Sequence, residues 1–176
     1  MPHILTPRLA LIPTPLSVLK TRLVCDSFVS EVDVAGDTLT VTFPPEWPGL
    51  ATVLLPIYIA AMETDVETVW WGGTIINRDA RIAVGMTGCK GFPDATGTVE
   101  IGYGINEADW GRGYATEIVA AFVAWLTARA DVSRITAETL PDGFASQRVL
   151  QKCGFTHTGT REDADDGTVW TWARPG

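Results

Sequence analysis

The feature that most constrains this chain is Gly111-Arg112-Gly113, a glycine-flanked arginine between a strand-like and a helix-like segment. Residues 99–105 are rich in β-branched and aromatic side chains, and apolar residues recur at helical spacing over residues 114–129. Glycines let backbone N–H groups approach an oxygen ligand closely, and the free donors at a helix start favour an anion such as phosphate. The segment predicts a strand, an anion-cradling turn and a helix, with a plain strand-to-helix turn as the alternative. The P-loop and dinucleotide motifs are both absent.

The remaining periodicity predicts one mixed α and β domain over residues 1–176, without repeats or linkers. The prolines and the PPEWPG run separate its first half into short elements. Gly154 suits the left-handed position that ends a helix. The predicted strands are 9–12, 38–43, 70–77, 81–89, 99–105, 134–140 and 168–173, and the predicted helices are 16–24, 50–62, 114–129 and 145–153.

Charge and composition narrow the possible partners. The 176 residues have a formal net charge of -8, so the chain lacks the basic surface that drives binding to nucleic acid or anionic membrane. No apolar run reaches transmembrane length, and the N-terminus does not resemble a signal peptide. Three scattered cysteines suggest neither a disulfide framework nor a zinc site, and a reducing cytoplasm is the expected setting. His3 and His157 are too isolated to predict a metal site or a catalytic triad.

A second motif gives the turn a family context. The run ASQRVLQKCGF begins about 30 residues after Gly113, and with WGRGYATE it resembles the GNAT superfamily of N-acetyltransferases. The likeness is strongest over residues 82–156 and is closest to the branch with the ribosomal-protein N-terminal alanine acetyltransferases. It implies an α/β (α+β) fold, with a central, mostly antiparallel, twisted mixed sheet flanked by helices.

The resemblance implies that acetyl-CoA is the co-substrate, without a metal, and that a small-molecule or peptide amine is the acceptor. A protein N-terminus and a small amine are both compatible, and a homodimer is possible. A catalytically weak acyl-CoA sensor and a structural protein that keeps the turn without binding are the alternatives.

The same resemblance assigns the cofactor contacts residue by residue. The phosphates would lie on the turn, and the pantetheine arm would lie along the strand that precedes it. Two positions depart from the family: Trp110 stands where Gln or Arg is common, and Gly143 stands where Asn is usual. The implied contacts are Tyr103, Gly104 and Ile105 on the strand, and Gly111, Arg112, Gly113, Tyr114, Ala115 and Thr116 on the turn.

Amine acetylation needs a base for the amine, donors for the developing oxyanion and a proton for the leaving thiolate. We expect Glu100 to be the base, although a solvent-facing glutamate fits equally well. Glu138, on the other strand expected to flank the cleft, is the alternative base, or it would instead position the amine or pair with Arg112 or Lys90. Ser146 is the candidate donor to the thiolate, or else a serine that caps its helix.

Other polar and aromatic residues have simpler expected roles. Tyr103 and Tyr114 are weaker alternatives to Ser146 as the acid. Glu117, in the first helical turn, is expected to be structural. Cys153 is expected to pack rather than to act as a nucleophile, which implies direct transfer without an acyl-enzyme. The aromatic residue expected to border the acceptor site is Trp47.

Overall fold

The computed structural model describes residues 3–64 and 71–176. Within these ranges the strands are β1 Ile4–Leu5, β2 Leu9–Ile12, β3 Phe28–Val34, β4 Asp37–Phe43, β5 Gly72–Asn77, β6 Ile82–Cys89, β7 Thr98–Ile105, β8 Arg134–Thr139, β9 Thr156–Asp163 and β10 Gly167–Pro175. They form a ten-stranded sheet in the order β1-β2-β5-β6-β7-β8-β10-β9, and the β3–β4 hairpin joins it through β6.

Four α-helices lie in the described ranges: α1 Leu16–Arg22, α2 Leu55–Thr64, α3 Tyr114–Thr127 and α4 Phe144–Lys152. A 3-10 helix, Gly49–Leu54, leads into α2. Helix α4 ends where Gly154 adopts φ 84°, and Phe155 N–H then bonds Leu150 O at 3.0 Å. This left-handed ending agrees with the sequence prediction, because glycine pays no steric penalty there.

The sheet separates two hydrophobic cores. Leu9 and Leu11 of β2 enter the core formed with α3 and α4, whereas Ala10 and Ile12 enter the core formed with α1, α2 and the β3–β4 hairpin. All four side chains are at most 1% exposed, so this strand is buried on both faces. Helices therefore flank a mixed sheet on both sides, as the family resemblance implies.

Most strand pairs are antiparallel, and the two parallel pairs are β4–β6 and β7–β8. Strands β1, β3 and β9 have no counterpart among the predicted elements; the polar alternation in β9 carries little hydrophobic signal. Trp70, included in one predicted strand, lies outside the described residues. No helix in the described ranges has both the length and the apolar character to cross a membrane.

Candidate active site

The sheet opens into a cleft between β7 and β8. These parallel strands pair from Thr98↔Arg134 to Ile101↔Ala137 and then part, while β7 continues to pair with β6 as far as Ile105. Strand β8 pairs with β10 along its whole length, from Arg134 to Thr139, so beyond Ala137 only its β7 edge loses a partner strand. The second half of β7 therefore presents a strand edge to the cleft.

The antiparallel alternation between β6 and β7 determines which backbone groups face this cleft. Glu100 O accepts a hydrogen bond from Lys90 N–H, and Asn106 N–H donates to Val84 O, so the even-numbered residues bond β6. Tyr103 and Ile105 therefore aim their N–H and C=O groups at the cleft, whereas Gly104 aims its groups at β6. The Trp110 indole donates to Ile105 O at 2.7 Å, which gives this departure from the family pattern a local role.

A short 3-10 helix, Glu107–Asp109, follows β7, and the glycine turn after it starts α3. Gly111 and Gly113 adopt φ values of 74° and 78°, which favour glycine, and a Cβ at Gly111 would meet nothing within 4 Å. Gly113 is the N-cap residue, and the cap has no side-chain hydrogen bond. The first-turn N–H groups and open glycines thus fit an anionic phosphate.

Arg112 supplies a cation beside this turn. Its side chain is 56% exposed and lies 3.6 Å from Asp109 Oδ1, measured from Nε. Because such a loose, exposed pair is weak, the guanidinium is available to a stronger anion.

Arg8, which directly precedes β2, and Glu117, in the first turn of α3, brace the glycine turn. Glu117 accepts hydrogen bonds from Thr6 Oγ1 at 2.6 Å and from Arg8 Nε at 2.7 Å, while Arg8 Nη1 donates to Arg112 O at 2.9 Å. Burial of Glu117 opposes ionisation, but these hydrogen bonds outweigh it and lower its pKa. Glu117 therefore has the expected structural surroundings. The role of Arg8 was missed because its partners are more than 100 residues away along the chain.

On the α3–α4 face, Tyr103 bridges β7 and α4. Its Oη lies 2.8 Å from Ser146 Oγ and donates to Ser146 O at 3.0 Å. Burial raises the pKa of Tyr103 to about 12 despite the Ser146 hydrogen bond, so the phenol stays protonated at neutral pH. The sequence offers these two residues as separate candidates for the acid, and the structure brings them together. Ser146 Oγ is engaged with this phenol rather than with a cap.

Gly143 is accommodated by a close turn before α4. A Cβ there would lie 3.1 Å from Leu140 O, which is tighter than most such contacts. Gln147 Nε2 donates to Leu140 O and Pro141 O, both at 3.0 Å, and so holds this turn from within α4. The usual Asn side chain at position 143 would therefore crowd a carbonyl.

The opposite face of the cleft carries an alternating charge network. Glu100 contacts the Lys90 ammonium, whose Nζ also lies 3.5 Å from Glu138 Oε2. Arg161 binds Glu138 in a two-pronged contact at 2.5 and 2.7 Å, and it reaches Asp163 at 2.8 Å. The Arg161 hydrogen bond is the largest influence that lowers the pKa of Glu138, with Lys90 adding to it against burial. The expected pairing of Glu138 with Lys90 is present, and the alternative pairing with Arg112 is wrong.

Three other sequence-predicted side chains are engaged in packing or local hydrogen bonds. Trp47 is fully buried against Phe28 and Phe43, so the prediction that it borders an acceptor pocket is wrong. Cys153 is buried, which raises its thiol pKa and suits packing. The phenol of Tyr114 accepts a hydrogen bond from Asn77, away from Ser146. In the described ranges, no group of three or more His, Cys, Asp or Glu side chains could hold a metal ion.

An exposed apolar surface near β7 was also missed. The 3-10 helix Gly49–Leu54 lies against β7, and Val53, Leu54 and Ile57 expose apolar side chains beside it. Their periodicity predicts only a helix, because the partner strand lies far away along the chain.

Comparison with known proteins agrees with this geometry. The model of the acetyltransferase (GNAT) domain family matches residues 42–156. The uncharacterized N-acetyltransferase YjdG of Bacillus subtilis is 40% identical over 81 residues, which are 46% of this chain and 48% of that protein. The match therefore spans about half the length of this relative.

Solved structures show the same fold at low sequence identity. An acetyltransferase from Salmonella typhimurium, described as modifying the N-terminal serine of ribosomal protein L7/L12, superposes with a TM-score of 0.68 and 17% identity, covering 99% of both chains. The microcin C7 self-immunity acetyltransferase MccE, in complex with acetyl-CoA and AMP, superposes with a TM-score of 0.68 and 13% identity, covering 97% of this chain and 94% of that one.

Proposed function

The chain belongs to the GNAT acetyltransferase family, and from that premise we propose that it transfers the acetyl group of acetyl-CoA directly to a primary amine. The observation that carries this proposal is the parting of β7 and β8 after Ile101 and Ala137, directly before the glycine turn. The free strand edge can hydrogen-bond the amides of an extended arm, and the helix start that follows it suits phosphates. Acetyl-CoA has both groups.

Acetyl-CoA would supply an activated thioester carbonyl to this cleft. The 111–116 turn and Arg112 would hold its phosphates, and Tyr103 and Ile105 would bond its pantetheine amides. A cleft-facing N–H of Tyr103 or Ile105 also suits the developing oxyanion. The microcin C7 self-immunity acetyltransferase MccE, which has the same fold, is described in complex with acetyl-CoA, and this supports acetyl-CoA as the co-substrate.

Glu100 is the base that we propose for the acceptor amine. It lies one residue before the last paired position of β7, on the face opposite α3 and α4. Glu138 is less suited to this task, because Arg161 binds it in a two-pronged contact and lowers its pKa. A base must release Lys90 to accept a proton, and the half-exposed Lys90 side chain can move.

On the other face, Tyr103 and Ser146 would protonate the leaving thiolate. Their hydrogen-bonded hydroxyl groups face α4, and the high pKa of Tyr103 preserves a donor at neutral pH. Base and acid then approach the cleft from opposite faces of the sheet, which allows a ternary complex in which both substrates are bound together. Direct transfer follows, without an acyl-enzyme.

The acceptor is an amine that reaches the Glu100 face. A protein N-terminus is supported by the described activity of the Salmonella structure, and a small amine suits the same chemistry. The net charge of -8 favours a cationic acceptor over an anionic one.

Thiol release from acetyl-CoA over a panel of peptide N-termini, polyamines and amino sugars tests the proposal. We expect release with at least one amine and a fall of about 10²–10⁴-fold in kcat/KM for Glu100→Gln. Calorimetry should show nearly unchanged acetyl-CoA affinity in that variant. Glu31→Gln, at an exposed position of β3, is the matched control and should keep wild-type rates.

Two other outcomes would contradict the proposal, and each would favour a different alternative function. Binding of acetyl-CoA without thiol release for any amine would favour the sensor. Absence of binding would mean that the turn is purely structural.

A further inference from the structure

We propose that Lys90 determines acceptor specificity: its ammonium occupies the place between Glu100 and Glu138 that the protonated acceptor amine takes when it binds. The inference rests on the proposed acetyl transfer and adds a substrate class, amines that arrive as cations. It also assigns to Lys90 the role of a resident cation that the acceptor displaces.

The location supports this role. Glu100 lies one residue before the last β7–β8 pair, and Glu138 lies one residue after it on β8. Both carboxylates therefore stand where the strands part, and Lys90 Nζ contacts one and lies 3.5 Å from the other. Glu100 Oε1 is shielded from solvent and has no other hydrogen-bond partner in the described ranges. A cation at this point is therefore needed to compensate the negative charges of the two carboxylates.

The two cations of the network differ in how readily they can leave. Arg161 holds Glu138 through two parallel N–H bonds and also contacts Asp163. A guanidinium fork bound in this way is a fixed partner. Lys90 is a point charge on a flexible stem, and its side chain is 55% exposed. Its backbone is anchored independently by the Lys90 N–H bond to Glu100 O at 2.8 Å. The ammonium can therefore swing into solvent without breaking the strand pairing.

The charge balance of this cluster then favours a cationic acceptor over a neutral one. Burial lowers the pKa of Lys90, but Glu100 and Glu138 outweigh it, so the pKa is raised and the ammonium stays charged. A cationic amine that replaces it keeps the carboxylates balanced and brings its own proton next to Glu100. A neutral amine that displaced Lys90 would leave an uncompensated carboxylate in a partly shielded place, which is unfavourable.

The test uses two variants. Lys90→Met removes the charge but keeps a side chain of similar length, and Lys90→Arg replaces the ammonium with a guanidinium that binds carboxylates more firmly. With an accepted cationic amine, we expect the acceptor KM to fall about two- to fivefold in Lys90→Met and to rise by a similar factor in Lys90→Arg. The KM for acetyl-CoA and the KM for an arylamine, neutral at assay pH, should stay unchanged. Lys20→Met, a similarly exposed lysine paired with Glu63, is the control.

A purely structural lysine would give the opposite order, because arginine would replace it better than methionine. An acceptor KM that is higher in Lys90→Met than in Lys90→Arg therefore overturns the proposal. So does an equal change with the neutral arylamine.

A second measurement separates this proposal from the acetyl-transfer reaction itself. Ethylammonium should raise the Tm of Lys90→Met more than that of the wild type, relative to sodium at matched ionic strength. If no amine releases thiol, the proposed function fails, and this binding difference still decides the role of Lys90. Equal shifts in the two proteins would refute it.

Discussion

The contact between Tyr103 and Ser146 allows a prediction about both stability and rate. Tyr103→Phe removes a hydroxyl that lies 2.8 Å from Ser146 Oγ and donates to Ser146 O at 3.0 Å. A hydrogen bond of this kind contributes about 1 kcal/mol net, so each single variant should lose about 1 kcal/mol of unfolding free energy. Because Tyr103→Phe and Ser146→Ala remove one shared contact, the double variant should lose less than the sum of the two.

Urea unfolding of the wild type, both single variants and the double variant measures this coupling. We expect an interaction free energy of about 1 kcal/mol, within the range found for residues in direct contact. Additive losses would show that the two hydroxyls do not share a bond in solution.

The rate measurement tests their proposed role as the acid. Each single variant should lower kcat, and the double variant should fall little further, since residues that act as one unit are not additive. The penalty should shrink when the thioester carries a better leaving group, because its thiolate needs less protonation. A penalty that is independent of the leaving group would refute the assignment.

Three further predictions concern the turn and the charge network. Arg112→Glu should weaken acetyl-CoA binding more than tenfold, or about 1.4 kcal/mol, by reversing a charge beside the phosphates, and unchanged affinity by calorimetry would contradict this. Gly113→Ala should cost about 1–2 kcal/mol in urea unfolding, because φ is 78° and the nearest atom to a new Cβ is Arg8 Nη2 at 3.6 Å, so strain rather than a clash is responsible. The lowered pKa of Glu138 implies stabilisation that is complete above its unfolded value, near 4.5, and is lost as the pH falls through the folded value. Glu138→Gln should therefore be less stable than the wild type at neutral pH and show a smaller loss on acidification, and parallel pH profiles of unfolding would be the contrary result.

Much of the cofactor region was predictable because its signals are local. The glycines at 111 and 113, the helix that follows and the Gly154 ending depend on backbone conformations and periodicities within a few residues. The motif around Ser146 likewise predicts a short helix, which the structure has as Phe144–Lys152. The mixed, mostly antiparallel sheet, which the family resemblance implies, is also confirmed.

The contacts that give the site its chemistry were decided by tertiary structure. Lys90 and Arg161 meet Glu138 only because β6 ends beside β7 and β9 folds back along β10, and Arg8 reaches the turn only because β2 lies near α3. Trp47 was predicted to border the acceptor site because its proline-rich surroundings suggest an exposed loop. Packing against distant residues buries it instead. By itself, the sequence determined the strand, the glycine turn and the helix, because backbone conformation depends on neighbouring residues. Which carboxylate meets which cation depends on strand order and side-chain reach over distances that local patterns do not encode, so only the folded chain decided it.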